Sequence, residues 1–141
     1  MAPRFLDTNI LVRLFTRDDE DKAERVFALL RRVEHNEEQV AASAMVIFET
    51  IFVLEKRYNT PRGTIRDRIK GLISSAGLRL ADKEVYRRAL DLYAGRSISF
   101  ADAYNAEFMR SRRLSEIYTW DTDFDHLEGI ARVEPELTAS A

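Results

Sequence analysis

Residues 4–15 read Arg4-Phe5-Leu6-Asp7-Thr8-Asn9-Ile10-Leu11-Val12-Arg13-Leu14-Phe15. A short apolar-leaning run, Arg4 to Leu6, stops at Asp7. Asp7 or Thr8 can then cap the apolar-periodic segment Ile10, Leu11, Val12, Leu14 and Phe15, so the stretch reads as strand, turn, helix. The same grammar returns downstream. Gln39 to Ala42 is a strand candidate, Ser43 a helix cap, and Ala44 to about Tyr58 a long helix closed by Asn59 and Pro61. Strand and helix alternating in this way predict an α/β fold, a three-layer α/β/α sandwich around a central parallel sheet with its sites at the carboxyl ends of the strands.

The remaining segments fit that frame. Asp18 to Val33 is helical, with acidic residues at its start, arginines at its end, and Ala23, Val26, Phe27, Leu29, Leu30 and Val33 on one stripe. Thr64 to Ser75 is a further amphipathic helix stopped by Gly77. Leu78 to Leu80 is a short strand, Lys83 to Tyr93 a helix stopped by Gly95. Ser99 or Asp102 opens a helix through Arg113, and strands are expected at Glu116 to Thr119 and Ala131 to Val133. Residues 1–134 make one domain and 135–141 a C-terminal tail; no repeat or linker marks a second module. The phenylalanines, Phe5, Phe15, Phe27, Phe48, Phe52, Phe100, Phe108 and Phe124, are expected in the core.

Composition narrows the function. The 141 residues are 45% hydrophobic and 33% charged, with five Gly and three Pro, the profile of one water-facing domain. Without cysteine there is no thiol nucleophile, thiolate metal site or redox motif, and nothing points to an oxidising compartment. The first fifteen residues lack a signal-peptide core, and no apolar run approaches the roughly 20 residues that span a bilayer. The expected location is therefore cytoplasmic, away from membranes. With 22 Lys and Arg against 24 Asp and Glu, the net charge of −2 excludes a generic polyanion binder.

Acidic residues carry the chemistry. Asp7, Asp102 and Asp121 each fall at a strand-to-helix junction, and a parallel sheet would make them converge. Each alone reads as a cap; the three together suggest a site. Glu49 sits in Met45-Val46-Ile47-Phe48-Glu49-Thr50-Ile51-Phe52, a helix apolar almost all round and so expected to be buried. A buried carboxylate needs an Arg partner, a hydrogen-bond network or a wet cleft with a cation. Hard oxygen donors without a Cys or His cluster select Mg²⁺ or Mn²⁺. Phosphoester cleavage is the chemistry such a site supports. His35 and His126 read as surface residues, while Trp120 beside Asp121 could stack on a base or line the rim.

Four segments, Phe5 to Leu14, Ala42 to Leu54 around Glu49, Ser99-Phe100-Ala101-Asp102-Ala103 and Tyr118 to Leu127 followed by Val133-Glu134-Pro135, resemble the motifs of the PIN-domain ribonucleases, specifically the VapC-like toxins of prokaryotic toxin–antitoxin pairs. They stand in family order over nearly the whole chain. The resemblance implies that Asp7, Glu49, Asp102 and Asp121 bind Mg²⁺ or Mn²⁺ and carry catalysis, with Asn9, Thr119 and Asp123 behind them. Asn9 would orient Asp7, and Thr119 would bond a carboxylate or a metal-bound water. It also implies RNA as substrate, a cognate antitoxin protein as partner, and a homodimer. The helix after Asp102 departs from the family's usual small apolar run at Tyr104, Asn105 and Glu107, with Glu107 expected to face solvent. Of the series Asp121, Asp123 and Asp125, Asp121 is the expected ligand.

Because an acidic cleft repels RNA, basic residues must grip the flanking phosphates. Arg13, Arg17, Arg66 and Arg110 are the leading candidates, with Arg62, Arg68, Lys70, Arg112 and Arg113 beside them. Two other readings compete. A receiver-like Mg²⁺-dependent phosphoacceptor domain would want adjacent acids after the first strand and a Lys in the closing segment, and Phe5 to Asn9 and Thr119 to Asp121 supply neither. A catalytically silent module that only holds RNA or a protein would keep the same acids.

Overall fold

The fold alternates strand and helix along the chain, and short polar side chains fix the junctions. In the computed structural model, which describes residues 2–138, β1 (Arg4–Phe5) leads into α1 (Thr8–Thr16), where the Asp7 carboxylate accepts the Thr8 N–H at 2.8 Å. Asp19 caps α2 (Glu20–Glu34) through the Lys22 N–H. After β2 (Val40–Ala41), Ser43 caps α3 (Ala44–Lys56) through the Val46 N–H. Then follow α4 (Arg62–Ile73), β3 (Leu78–Arg79), α5 (Lys83–Gly95) and α6 (Phe100–Ser111), the last capped by Ser99. The chain closes with β4 (Glu116–Tyr118), a 3-10 turn (Thr122–His126) and β5 (Ala131–Val133). Residues 135–138 are exposed and lie outside these elements, and the rest of the expected tail, 139–141, lies outside the described residues.

Every strand pairing is parallel, as alternation requires. The strands form two ladders: β1-β2-β3, with Arg4 opposite Val40 and Val40 opposite Leu78, and β4-β5, with Ile117 opposite Arg132. The single sheet expected from sequence is thus divided. Among the described residues no helix is long and apolar enough to cross a membrane.

The core lies between helices and ladders. α3 inserts Val46, Ile47, Thr50, Ile51 and Leu54; α4 adds Ile65, Ile69, Leu72 and Ile73; α5 adds Tyr86, Leu90 and Tyr93. These spacings are the inward stripe of a 3.6-residue period. Of the phenylalanines, Phe100 and Phe124 are buried, Phe15, Phe48 and Phe108 are half-buried, and Phe5, Phe27 and Phe52 are exposed. The core expectation fails for those three because each stands on the outward side of its element. Glycine 77 is not a helix stop. α4 ends four residues earlier, and a Cβ at Gly77 would stand 2.2 Å from the Glu38 carbonyl oxygen and 2.7 Å from that of Val33. The close approach, sealed by the Gly77 N–H donating to the Val33 carbonyl at 2.9 Å, admits only a hydrogen.

One side chain ties four segments together. The Arg62 guanidinium donates through Nη1 to the carbonyls of Tyr93 (3.1 Å), Arg96 (3.2 Å) and Ile98, and through Nη2 to Glu55 at 3.4 Å. Its Cζ stands 4.3 Å from the centre of the Tyr93 ring, whose hydroxyl donates to the other Glu55 oxygen at 2.8 Å. Helix-end carbonyls lack intrahelical partners, and here a cation of the right charge supplies them. Arg62 is therefore spent on structure in this fold; Arg68, donating to the Phe15 carbonyl at 2.7 Å, and Lys70, paired with Asp91, are similarly engaged.

Two stability predictions follow from these contacts. Arg62→Met should lower unfolding free energy by about 2–3 kcal/mol, since it orphans several acceptors, and Arg62→Lys should recover little because an ammonium cannot reproduce the fork. Gly77→Ala should destabilise by about 2 kcal/mol or more through backbone overlap. Urea denaturation of each variant checks both.

Candidate metal centre

Asp102 and Asp121 meet, and Asp123 joins them. One carboxylate oxygen from each of Asp102, Asp121 and Asp123 lies within 4.8 Å of the other two. Asp102 stands in the first turn of α6, where its own N–H donates to the Ser99 hydroxyl at 3.1 Å. Asp121 caps the 3-10 turn, accepting the Asp123 N–H at 2.9 Å, while its own N–H donates to Thr119 Oγ1 at 3.0 Å. This tight turn explains why Asp123 comes along. An Asp that caps the amide two residues on turns the chain back, so both carboxylates share one side. The Thr119-Trp120-Asp121-Thr122-Asp123 spacing carries that signal, whereas the sequence reading places Asp123 behind the ligands and takes Asp121 alone from the series. Asp125 points elsewhere, paired with Arg132 at 3.1 Å.

Thr119 acts on the backbone. Its hydroxyl accepts the Asp121 N–H, which leaves its own proton to donate. Burial, and then the neighbouring Asp121 carboxylate, push the Asp102 carboxyl above its ordinary range, with Asp123 adding to the effect and the Ser99 hydroxyl opposing it. Three hard oxygen donors with suppressed ionisation at one of them make a site that a divalent cation would relieve. The donor set fits Mg²⁺ or Mn²⁺ and offers no soft ligand.

Asp7 and Glu49 stand outside this group of three. Asp7 and Asn9 are exposed at the start of α1. Glu49 is also exposed, which corrects the expectation of burial: α3 turns Val46, Ile47, Thr50 and Ile51 inward and leaves Met45, Glu49 and Phe52 on its outer face. The helix reads as apolar all round because that outer face carries Met45 and Phe52. Glu107 reverses in the other direction. Expected to face solvent, it is only 8% exposed and pairs with Arg110 one turn on.

Tyr104, another departure in α6, serves packing. It sits 5.1 Å from Phe48, 5.0 Å from Tyr86 and 6.2 Å from Phe108, ring centre to ring centre, joining α3, α5 and α6. The cluster sets the helix that carries Asp102 against the helix that carries Glu49. Among the arginines, Arg110 spends its guanidinium on Glu107 and the Glu128 carbonyl, Arg17 pairs with Glu20 at 2.8 Å and Arg66 with Asp67 at 3.0 Å. Arg13 has no ion pair among the described residues and lines a cavity with Arg4, Lys22, Arg25 and Arg32.

The Asp102 carboxyl couples folding to pH. The fold holds a proton there to higher pH than the unfolded chain does, so stability falls as pH rises from the ordinary carboxylate value through the raised one. Asp102→Asn should raise the melting temperature by a few degrees at neutral pH and hardly at all near pH 3, where the wild-type carboxyl is already neutral. Thermal melts at the two pH values, without added divalent cation, measure it.

A sequence profile of the PIN domain matches residues 4–130. Among solved structures, the chain is similar to the VapC20 toxin of Mycobacterium tuberculosis, described as cleaving the sarcin–ricin loop: 23% identity, a TM-score of 0.37, and coverage of 93% of this chain and 98% of that one. No curated protein matches the sequence. With a family match over almost its whole length and an α/β architecture of parallel strands, the chain belongs to the PIN domain family.

Proposed function

We propose that the protein is a divalent-metal-dependent endoribonuclease, the toxin of a toxin–antitoxin pair, acting in the cytoplasm. The observation that carries the proposal is the gathering of Asp102, Asp121 and Asp123 within 4.8 Å in a PIN-domain chain. These three would hold Mg²⁺ or Mn²⁺, with Asp7 and Glu49 as the further acids of the site and Asn9 orienting Asp7. Bound there, the cation supplies an acidified water and positive charge for hydrolysis of an RNA phosphodiester.

The chain's own groups prepare that chemistry. Ser99 fixes the first turn of α6 and so the base of the Asp102 side chain. Thr119 holds the Asp121 amide, and Asp121 holds the Asp123 amide, so the 3-10 turn presents two carboxylates with little freedom to lose. Phosphates flanking the scissile bond would be gripped by Arg13, Arg17 and Arg66; Arg110, tied to Glu107 and Glu128, has fewer donors to offer. Single-stranded loops are the favoured substrates, because their backbone can enter a cleft that a duplex cannot. A cognate antitoxin and a homodimeric assembly complete the reading, both resting on the family resemblance.

Purified chain, free of any partner, incubated with mixed cellular RNA in Mg²⁺ or Mn²⁺ should give discrete fragments that vanish with EDTA. Asp121→Asn should lose more than about 100-fold in rate and Thr119→Val about 10- to 100-fold, as expected for a ligand and for the group that orients it. Metal binding by calorimetry with no cleavage of any RNA would overturn the nuclease reading in favour of a silent binding module. RNA affinity should fall steeply between 50 and 200 mM salt, and a flat response would remove the arginines from the grip.

A further inference from the structure

Glu107 is a charge that the three clustered acids do not include, and it stands where charge is costly. It lies on the inner face of α6 with Ala103 and Ala106, its side chain 9% exposed. An apolar side chain of like volume would fill that place without the desolvation cost of an ion pair. Among the described residues Glu107 meets one cation, Arg110, a turn further on, and Arg110 bridges two segments: Nη1 donates to Glu107 and Nη2 to the Glu128 carbonyl at 2.7 Å. Glu128 closes the stretch that begins at Asp121. Phe124 and Leu127 seat that stretch in the core, and Arg96, at the end of α5, holds its His126 carbonyl at 3.1 Å. Of the two arginines that grip its backbone, Arg110 alone comes from the helix that carries Asp102.

We propose that Glu107 is a positioning residue for the acidic centre, acting through Arg110 to fix the stretch that bears Asp121 and Asp123 against the helix that bears Asp102. A free arginine side chain spreads over many rotamers. A carboxylate three residues before it, on the same helix face, holds the guanidinium fork in one of them and leaves Nη2 for the carbonyl. α6 then places all three acids, one through its own first turn and two through this bridge. Groups that build a binding centre must be held to within about 0.5 Å, and a bridge anchored on a buried carboxylate has less freedom than one that ends in solvent. The consequence for cation affinity rests on the metal reading above; the bridge itself does not.

Tb³⁺ is a hard cation that takes the same oxygen donors, and Trp120, the one tryptophan in the chain, stands beside Asp121 to sensitise its luminescence. Titration of the whole chain should show Glu107→Ala and Arg110→Ala each weakening Tb³⁺ binding about tenfold, and the double variant weakened by no more than either alone, as for two groups acting as one. Glu107→Gln, whose amide oxygen still accepts from Arg110, should stay within about threefold of wild type. Ile69→Val, a truncation on the buried face of α4, should lower the melting temperature and leave the affinity unchanged. Unchanged affinity in both alanine variants, additive losses in the double variant, or an equal loss in Ile69→Val overturns the proposal. If the wild-type chain binds no Tb³⁺, the metal reading falls and the bridge is judged without cation. Exchange of the Asp123 and Leu127 amides, which donate to Asp121 and to the Phe124 carbonyl, should then quicken about tenfold in Glu107→Ala, and unchanged exchange overturns the bridge.

Discussion

The Arg62 guanidinium is the point on which the helical half of the molecule turns. It joins Glu55 at the end of α3, the last carbonyls of α5 and the Ile98 carbonyl leading into α6, while lying on the Tyr93 ring. A cation only one-third exposed would be poorly placed without partners. Here several acceptors and an aromatic face surround it, and removing it leaves those acceptors without donors. The run from α5 into α6 fixes where Ser99 starts the helix, and Ser99 in turn fixes Asp102. A structural contact some distance from the acids thus sets the position of one of them.

Around that frame the aromatic residues fill what the aliphatic core leaves. Phe48, Tyr86, Tyr93, Phe100 and Tyr104 meet largely edge-on or tilted, with centres 5.0 to 6.4 Å apart, the arrangement that ring quadrupoles favour. Their contacts bridge α3, α5 and α6, so the rigid scaffold lies directly behind the acidic face. The site itself is made of turns, with Asp121 and Asp123 held by backbone amides instead of packing. Rigid helices supply position, and a short capped turn supplies the close approach of like charges that a regular element would keep apart.

The local grammar was plain in the sequence. Asp7, Ser43 and Ser99 cap helices where their residue type and the following apolar period said they would, and the parallel strands fell at the expected places, the first four a residue or two shorter than expected and β5 over the same residues. What could not be read was which side of an element faces out. Glu49 lies among apolar neighbours because the outer face of α3 carries Met45 and Phe52, while Glu107 hides beside Arg110; composition along the chain does not separate the two cases. Asp123 was hidden by a different ambiguity, since alternating residues diverge in a helix yet come together in a capped 3-10 turn. Arg62 and Gly77 could not be read because their roles depend on carbonyls far away in sequence.

Strand pairing follows chain order: β1 meets β2, β2 meets β3, and β4 meets β5. A ribosome releasing this chain from its N-terminus completes the first ladder once Arg79 has emerged, and the Arg62 knot once Ile98 has followed. Asp121 and Asp123 come out later still. Domains fold largely as units during synthesis, and the core takes Phe124, Leu127 and Ile130 from beyond β4, so the packed scaffold and the charges that give it its chemistry are completed together. A chain cut short before Asp121 would lose those three core side chains together with two of the three clustered acids.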